Sequence, residues 1–298
     1  MKVTRLPDAE PRARRVAVGT FDGVHLGHRE VIRGADTVLT FDPHPLAVIA
    51  PHALPKLLDS FAIKRDLIAR LGVEELVVIP FDADFAAQSA QAFVEDVLIA
   101  ALGAERVAVG QNFRFGSKAL GDAEMLRTRP EFETRLVPLV EVEGETVSSS
   151  HVRGLVAAGD VARAARFLGR PPMVEGEVVG GDQRGRELDM PTANLVPDDR
   201  LATPGHGVYA AWAEVGGTRH AAAVSIGVRP TFGTGRAPLL ESHLLDFEGD
   251  LYGSTMRIAF VERLRGERRF DSAAELGDQM RRDVELVRQI ASATVSRR

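Results

Sequence analysis

The sequence predicts an α/β domain with a doubly wound parallel sheet over residues 1–170. A small antiparallel β-barrel or sandwich follows over residues 173–298, closing on a C-terminal helix. Three observations carry this reading. The first half alternates short β-branched runs with helical patterns. Gly169-Arg170-Pro171-Pro172 then interrupts the chain, because consecutive prolines cannot continue a helix and stiffen the connection. Beyond it, strand-like segments alternate with Gly/Pro/Asp turns.

Taken in order, Val16–Gly19, Thr37–Phe41, Leu76–Pro80 and Arg106–Gly110 read as buried strands. None alternates polar with apolar residues, as expected where helices cover both sheet faces. Ser60–Leu71 and Ala90–Leu102 have apolar residues at helical spacing, and Val152–Leu168 reads as two helices broken at Ala158-Gly159-Asp160. In the second half, Val174–Val179, Gly207–Val215, His220–Ile226, Leu239–Leu245 and Met256–Val261 are the expected strands. The last helix opens on Ser272 and Glu275, a capping-box pair, followed by Leu276, Met280, Val284 and Val287 on one face.

Composition narrows the function. Of 298 residues, 45% are hydrophobic and 27% charged, which is ordinary for a globular protein. Basic and acidic residues number 21 and 23 through Arg170, then 16 and 19, so the halves carry net −2 and −3. Neither is a polycation suited to nonspecific nucleic-acid binding. The absence of cysteine excludes disulfides, Cys-ligated metals and a thiol nucleophile. No apolar run reaches the ~20 residues of a membrane span, and no apolar core follows the arginines near Met1. A soluble, cytoplasmic protein with no membrane partner is expected.

Gly19–His28 reads GTFDGVHLGH directly after a strand and at the start of a helix. Parallel sheets bind ligands in crevices beyond the carboxyl ends of their strands. The HxGH pattern of His25, Gly27 and His28 suits triphosphates: imidazoles donate to phosphate oxygens, glycine permits close approach, and a helix start favours anions. TFDPHP (Thr40–Pro45), GQNFRFG (Gly110–Gly116) and SSSHVR (Ser148–Arg153) follow. In that order these strings resemble the FMN adenylyltransferase module of prokaryotic bifunctional FAD synthetases, relatives of the HxGH nucleotidyltransferases with a Rossmann-like fold.

The resemblance implies that His25 and His28 act on the ATP phosphates as catalytic residues. It places Gly19, Phe21, Asp22, Gly27 and Asn112 in the nucleotide and flavin region, with Asp42 and His44 shaping the site. Ser148, Ser149 and Arg153 would bind the triphosphate from the opposite side. The chain departs from the family at Ser150, where threonine is common, and between His28 and Thr37, which is about a dozen residues shorter. Nine helical residues rise only ~13 Å, against ~17 Å for a five-residue strand. The crossover is therefore expected to span the sheet with little to spare and its helix to pack poorly.

The second half offers another phosphate site. Gly180–Leu195 reads GGDQRGRELDMPTANL, in which Gly180, Gly181 and Gly185 suit a phosphate-cradling loop. Thr192 and Asn194 supply hard oxygens of the kind magnesium accepts. With GVYA (Gly207–Ala210), SIGVRPTF (Ser225–Phe232), ESHLLDF (Glu241–Phe247) and DLYG (Asp250–Gly253), the segment resembles the riboflavin kinase module, a six-stranded β-barrel fused after the adenylyltransferase. The resemblance makes Thr192 and Asn194 metal and ATP contacts and Glu241 the general base toward the riboflavin hydroxyl. Gly180, Gly185 and Arg229 fall among its nucleotide- and flavin-binding residues. Asp189-Met190 stands where Gly-Phe is usual, and Ser225 where asparagine is common.

Together these readings imply a two-step flavin-cofactor enzyme, riboflavin to FMN to FAD, with riboflavin, FMN and ATP as substrates. Mg²⁺ would enter with ATP, and no tightly bound organic cofactor is required. A kinase with an impaired first site, or a non-catalytic flavin-binding regulator, are the alternatives. Trp212 is expected in the barrel core. Phe113 and Phe115 are expected either to pack under their loop or to touch the flavin ring. His52, His206, His220 and His243 lack ligand spacing, and Arg281-Arg282 marks a solvated helix face.

Overall fold

The structure, a computed structural model, describes residues 1–179, 192–227 and 239–295. It divides into two compact units: Met1–Pro55 with Phe61–Ser149, and Lys56–Ser60 with Ser150–Arg298.

The first unit is built on a six-stranded, all-parallel sheet of β1 (Lys2–Arg5), β2 (Arg14–Val18), β3 (Thr37–Asp42), β4 (Glu75–Pro80), β5 (Ala104–Gly110) and β8 (Glu133–Val137), in spatial order β1-β4-β3-β2-β5-β8. The small ribbons β6 (Arg114–Phe115) with β7 (Gly121–Asp122), and β9 (Glu141–Val142) with β10 (Glu145–Thr146), decorate it. Its helices are α1 (Leu26–Ile32), α2 (Pro45–Ile49), α3 (Phe61–Ala69), α4 (Ala83–Ala87), α5 (Ala90–Ala92) and α6 (Ala123–Arg127). The four expected strands are present. β1 and β8, the polar edges, are additions, because short strands with exposed positions give no continuous apolar run.

The helix expected over Ala90–Leu102 is α only for its first three residues and a π-helix from Phe93 to Ala101. The wider turn places Phe93, Val94, Val97 and Leu98 together against the sheet. At the amino edge of the sheet, Glu75 is buried and receives Thr4 Oγ1 (2.7 Å), Arg14 Nη2 (3.1 Å) and Arg12 Nη2 (3.1 Å). Burial pushes its carboxyl up, but the bonds from Thr4, Arg14 and Arg12 outweigh that and hold it below the usual range.

The second unit carries α7 (Ser149–Ala158, from Ser150 onward) and α8 (Val161–Leu168), broken at Gly159 as predicted. Its centre is a closed antiparallel barrel, which decides between barrel and sandwich. The strands are β11 (Met173–Val179), β12 (Ala193–Pro197), β13 (Gly207–Val215), β14 (Thr218–Gly227), β15 (Leu239–Leu244) and β16 (Thr255–Arg265), in order β11-β12-β15-β14-β13-β16. β12, which takes in Ala193 and Asn194, was not among the expected strands. Alternate residues fill the barrel, among them Leu195, Tyr209, Val224, Leu240 and Phe260.

Trp212 corrects an expectation. Ala211 and Ala213 point inward, so Trp212 faces out and is half-buried beneath the Arg219 guanidinium, 4.2 Å from its ring centroid. α9 (Ala273–Val295) begins with Glu275 N–H donating to Ser272 Oγ (3.2 Å) and sets Val287 beside Ala210 and Leu245 on the outer wall. Lys56–Ser60 also joins this unit. Leu57 exchanges backbone bonds with Arg200 and Ala202, both 2.8 Å, and the Asp59 carboxylate receives Arg170 Nη2 at 2.5 and 2.7 Å.

Candidate active sites

In the first unit, the chain leaves β2 for β3 and β4 on one side, then crosses to β5 and β8 on the other. The carboxyl ends of β2 and β5 therefore flank a switch point, the usual crevice of an open α/β sheet. A cavity of about 1020 Å³ opens there, reached by Gly19, His25, Gly27 and His28 after β2, and by Gly110 and Asn112 after β5. Phe81, Phe85, Phe93, Phe113 and Phe115 supply an aromatic wall. Phe115 packs on Phe93 in the core and Phe113 stacks on Phe115, as the packing alternative for this pair has it, and both rings line the cavity.

The turn from β2 into α1 is bent sharply. Phe21 (φ 51°), Gly23 (φ 90°) and Val24 (φ 39°) take left-handed backbone, which packing of the buried Phe21 and Val24 holds in place. Gly19 lies against the Phe21 ring, and a Cβ there would come within 3.0 Å of it. Asp22 is buried; its carbonyl accepts Ser149 Oγ at 2.9 Å, within the same unit.

His25 is the N-cap of α1, its Nδ1 accepting His28 N–H at 3.2 Å. In the neutral ring the proton is consequently on Nε2. The two imidazoles stack with centroids 3.5 Å apart and 15° between planes. Burial, then the neighbouring His25 and Lys64 charges, hold His28 well below the usual histidine pKa, so it is a neutral hydrogen-bonding ring. Its buried Nδ1 has no hydrogen-bond partner among the described residues. Gly27 matters for the rings: a Cβ there would meet His25 Cε1 at 3.2 Å and Nδ1 at 3.3 Å.

His44 caps α2 by accepting Leu46 N–H (3.2 Å) and lines the cavity. Asp42 is exposed at the end of β3 and is not on the cavity wall. Nor is Ser148. In the second unit, Arg153 donates to Ser150 Oγ at 3.1 Å one turn earlier on α7. Sequence reasoning missed Lys64, which reaches from α3 to Thr20 O (3.3 Å) and Thr40 Oγ1 (3.4 Å) beneath the turn. A lysine in an amphipathic helix carries no motif signal.

The short crossover forms α1, with Val31 and Ile32 buried. Contrary to the expected poor packing, the helix is held at both ends. His25 caps its start, and Arg135 Nη2 from β8 donates to the carbonyls of Glu30 (2.9 Å), Val31 (2.8 Å) and Arg33 (2.9 Å) at its finish.

In the second unit, inward Ala193 and Leu195 leave Asn194 on the outer face of β12, with Thr192 just before the strand. Asn194 pairs in register with Glu241 of β15, and Glu241 with Ser225 of β14. A buried amide and an exposed carboxylate thus stand side by side, with Thr192 one pleat away. Gly180, Gly185, Asp189, Met190 and Arg229 lie outside the described residues. The described residues contain no cluster of three His, Cys, Asp or Glu able to hold a metal by itself.

Residues 8–151 match the FAD synthetase family, and residues 168–291 match the riboflavin kinase family. The bifunctional riboflavin kinase/FMN adenylyltransferase of Bacillus subtilis (strain 168) is 34% identical over 293 residues, 92% of each chain. The Escherichia coli (strain K12) protein of the same description is 36% identical over 293 residues, covering 94% of this chain and 93% of its own. A crystal structure described as a macrolide-efflux protein from Streptococcus pneumoniae superimposes with a TM-score of 0.87 and 33% identity over 97% of this chain and 99% of that one. No helix among the described residues is long and apolar enough to cross a membrane.

Proposed function

The chain belongs to the bifunctional riboflavin kinase/FMN adenylyltransferase family, and from that premise we propose that each unit performs one of the two reactions with the residues described above. The enzyme is an ATP-dependent transferase that makes FMN from riboflavin and FAD from FMN. Both family spans are present, so neither a kinase-only enzyme nor a non-catalytic regulator is favoured.

The first unit is assigned the adenylylation. An oxygen of the FMN phosphate attacks the α-phosphorus of ATP; the bond to the bridging oxygen breaks, and pyrophosphate departs. The nucleophile is already an anion, so positioning and charge stabilisation do most of the work. Neutral His28 and the Nε2–H of His25 donate to phosphate oxygens, and the stacked pair presents both from one wall. The aromatic wall suits the flavin ring.

The second unit is assigned the phosphorylation. Glu241 accepts the proton of the terminal riboflavin hydroxyl as that oxygen attacks the γ-phosphorus, and ADP leaves. The Glu241 carboxylate is exposed at the strand surface, open to an incoming hydroxyl. The Thr192 hydroxyl and Asn194 carbonyl fit magnesium in donor type, and with no acidic cluster among the described residues the ion would be carried mainly by phosphates and water. Bound there, it neutralises phosphate charge.

The observation that supports this reading best is the in-register pairing of Asn194 with Glu241, independent of the His25–His28 pair in the other unit. Glu241→Gln should abolish FMN formation from riboflavin while sparing FAD formation from added FMN. His28→Ala should do the reverse. Loss of both activities in either variant refutes the division.

A further inference from the structure

Among the cavity-lining residues, Lys118 has no assigned role. It sits between Ser117 and Ala119 in the loop after β6, and Gly116 through Ala119 all line the cavity. Lys118 (φ 55°, ψ 22°) and Ala119 (φ 55°) are consecutive non-glycine residues in left-handed backbone. Such strain persists only where the surroundings over-determine it. Here they do: Ser117 N–H donates to Gln88 O at 2.7 Å, and Gly116 is pressed so closely on Ala90 that a Cβ would meet its nitrogen at 2.5 Å. The anchor is on the aromatic wall, where Phe115 packs against Phe93, not on the histidine side.

Charge distinguishes Lys118 from its neighbours. The other permanent cation on the cavity wall, Arg114, is paired with Asp122 at 3.1 Å. His28 is held neutral. Lys118 is exposed, and no ion pair to it is present among the described residues. A cavity that admits two polyanions needs a cation to offset their repulsion, and the neutral histidine wall, assigned to ATP, does not supply one.

We propose that Lys118 is an FMN-specificity residue, its ammonium meeting the phosphate of FMN and offsetting repulsion from the ATP phosphates. This rests on placing adenylylation in the first unit.

The test uses the full-length enzyme and three variants, with steady-state adenylylation measured against FMN and ATP separately. Lys118→Gly removes the charge and relieves the left-handed strain, so its melting temperature should not fall. It should raise KM for FMN about tenfold, the scale of one charge-assisted hydrogen bond, with KM for ATP within about twofold. Lys118→Ala should match it in KM, and Lys118→Arg should restore most of the loss. Riboflavin phosphorylation serves as an internal control and stays unchanged. A rise in KM for ATP alone, or no change in either constant, overturns the assignment of Lys118. Wild-type FAD formation that survives His25 and His28 substitution would instead overturn the placement of the reaction in this cavity.

Discussion

Replacing Gly27 by alanine separates the geometry of the histidine pair from the stability of the fold. The added methyl would lie 3.2 Å from His25 Cε1 and 3.3 Å from Nδ1, a few tenths of an ångström inside comfortable contact. The ring must yield, because Gly27 is fixed in the first turn of α1. Yielding disturbs two things together, the 3.5 Å stack on His28 and the Nδ1 bond to His28 N–H. Alanine is favoured over glycine inside a helix by about 0.8–1.0 kcal/mol, and a weakened cap costs about 1 kcal/mol, so net stability should change by less than ~1 kcal/mol. Catalysis has no such compensation. Displacement of ~1 Å can cost about 100-fold, so a smaller shift of the ring should lower adenylylation by roughly 10-fold or more. The assay is chromatographic separation of FMN and FAD, with riboflavin phosphorylation as the internal reference and thermal unfolding alongside. An alanine variant with wild-type FAD formation, or one that loses both activities equally, would show that the histidine stack is incidental.

Glu75 gives a pH-dependent expectation. Its folded pKa is lowered, so its stabilisation is complete above the unfolded value near ~4.3 and is lost as pH falls through the folded value. Glu75→Gln should flatten that acid slope in thermal unfolding and lower the neutral-pH plateau by about 3 kcal/mol, because buried Arg14 loses its partner; an unchanged slope would refute the linkage. Arg135→Met should remove the cap from the last carbonyls of α1, cost about 1–2 kcal/mol, and reduce adenylylation more than phosphorylation, a selectivity read from the two products. Ser242 Oγ is fully buried in the barrel with no hydrogen-bond partner among the described residues, so Ser242→Ala should raise the unfolding free energy by up to about 1 kcal/mol, read in denaturant unfolding, without changing riboflavin phosphorylation.

The elements legible in the sequence were those whose burial is nearly uniform. β3 and β4 are almost wholly enclosed, and their runs Thr37–Phe41 and Leu76–Pro80 could hardly be otherwise. β1, at the sheet edge, buries one residue in four and left no such trace. Trp212 was misjudged because a strand pattern gives the period of alternation but not its phase, and alanines took the inward positions. In the first site, HxGH was readable because its chemistry is local: His25, Gly27 and His28 share one helical turn. Lys64 and Lys118 were not, since each reaches the site from a distant segment and neither residue type is unusual where it stands. The partnership of Asn194 with Glu241 depends on strand register across 47 positions of sequence, which no local pattern encodes.

The crossover after β2 shows how such a shortfall resolves. Counting from His28 to Thr37 compared one helix with one strand and found it short. The return path is longer than that helix alone. α1 begins at Leu26 and its seven residues rise ~10 Å. Arg33 and Gly34 then turn the chain, with Gly34 in left-handed backbone (φ 77°) and Ala35 N–H donating to Ile32 O at 2.9 Å, so the connection reverses toward β3 within four residues. β3 is also the immediate neighbour of β2, so the chain shifts sideways by one strand, ~4.8 Å. What a short helix lacks is buried area, and here the compensation is polar: an imidazole on one of its free first-turn N–H groups, that of His28, and one guanidinium on three of its last carbonyls. The same His25 that caps the helix also stacks on His28. The cap that stabilises the shortened crossover is thus also half of the stacked pair proposed to meet the ATP phosphates, which is why disturbing either should be felt in adenylylation before it is felt in folding.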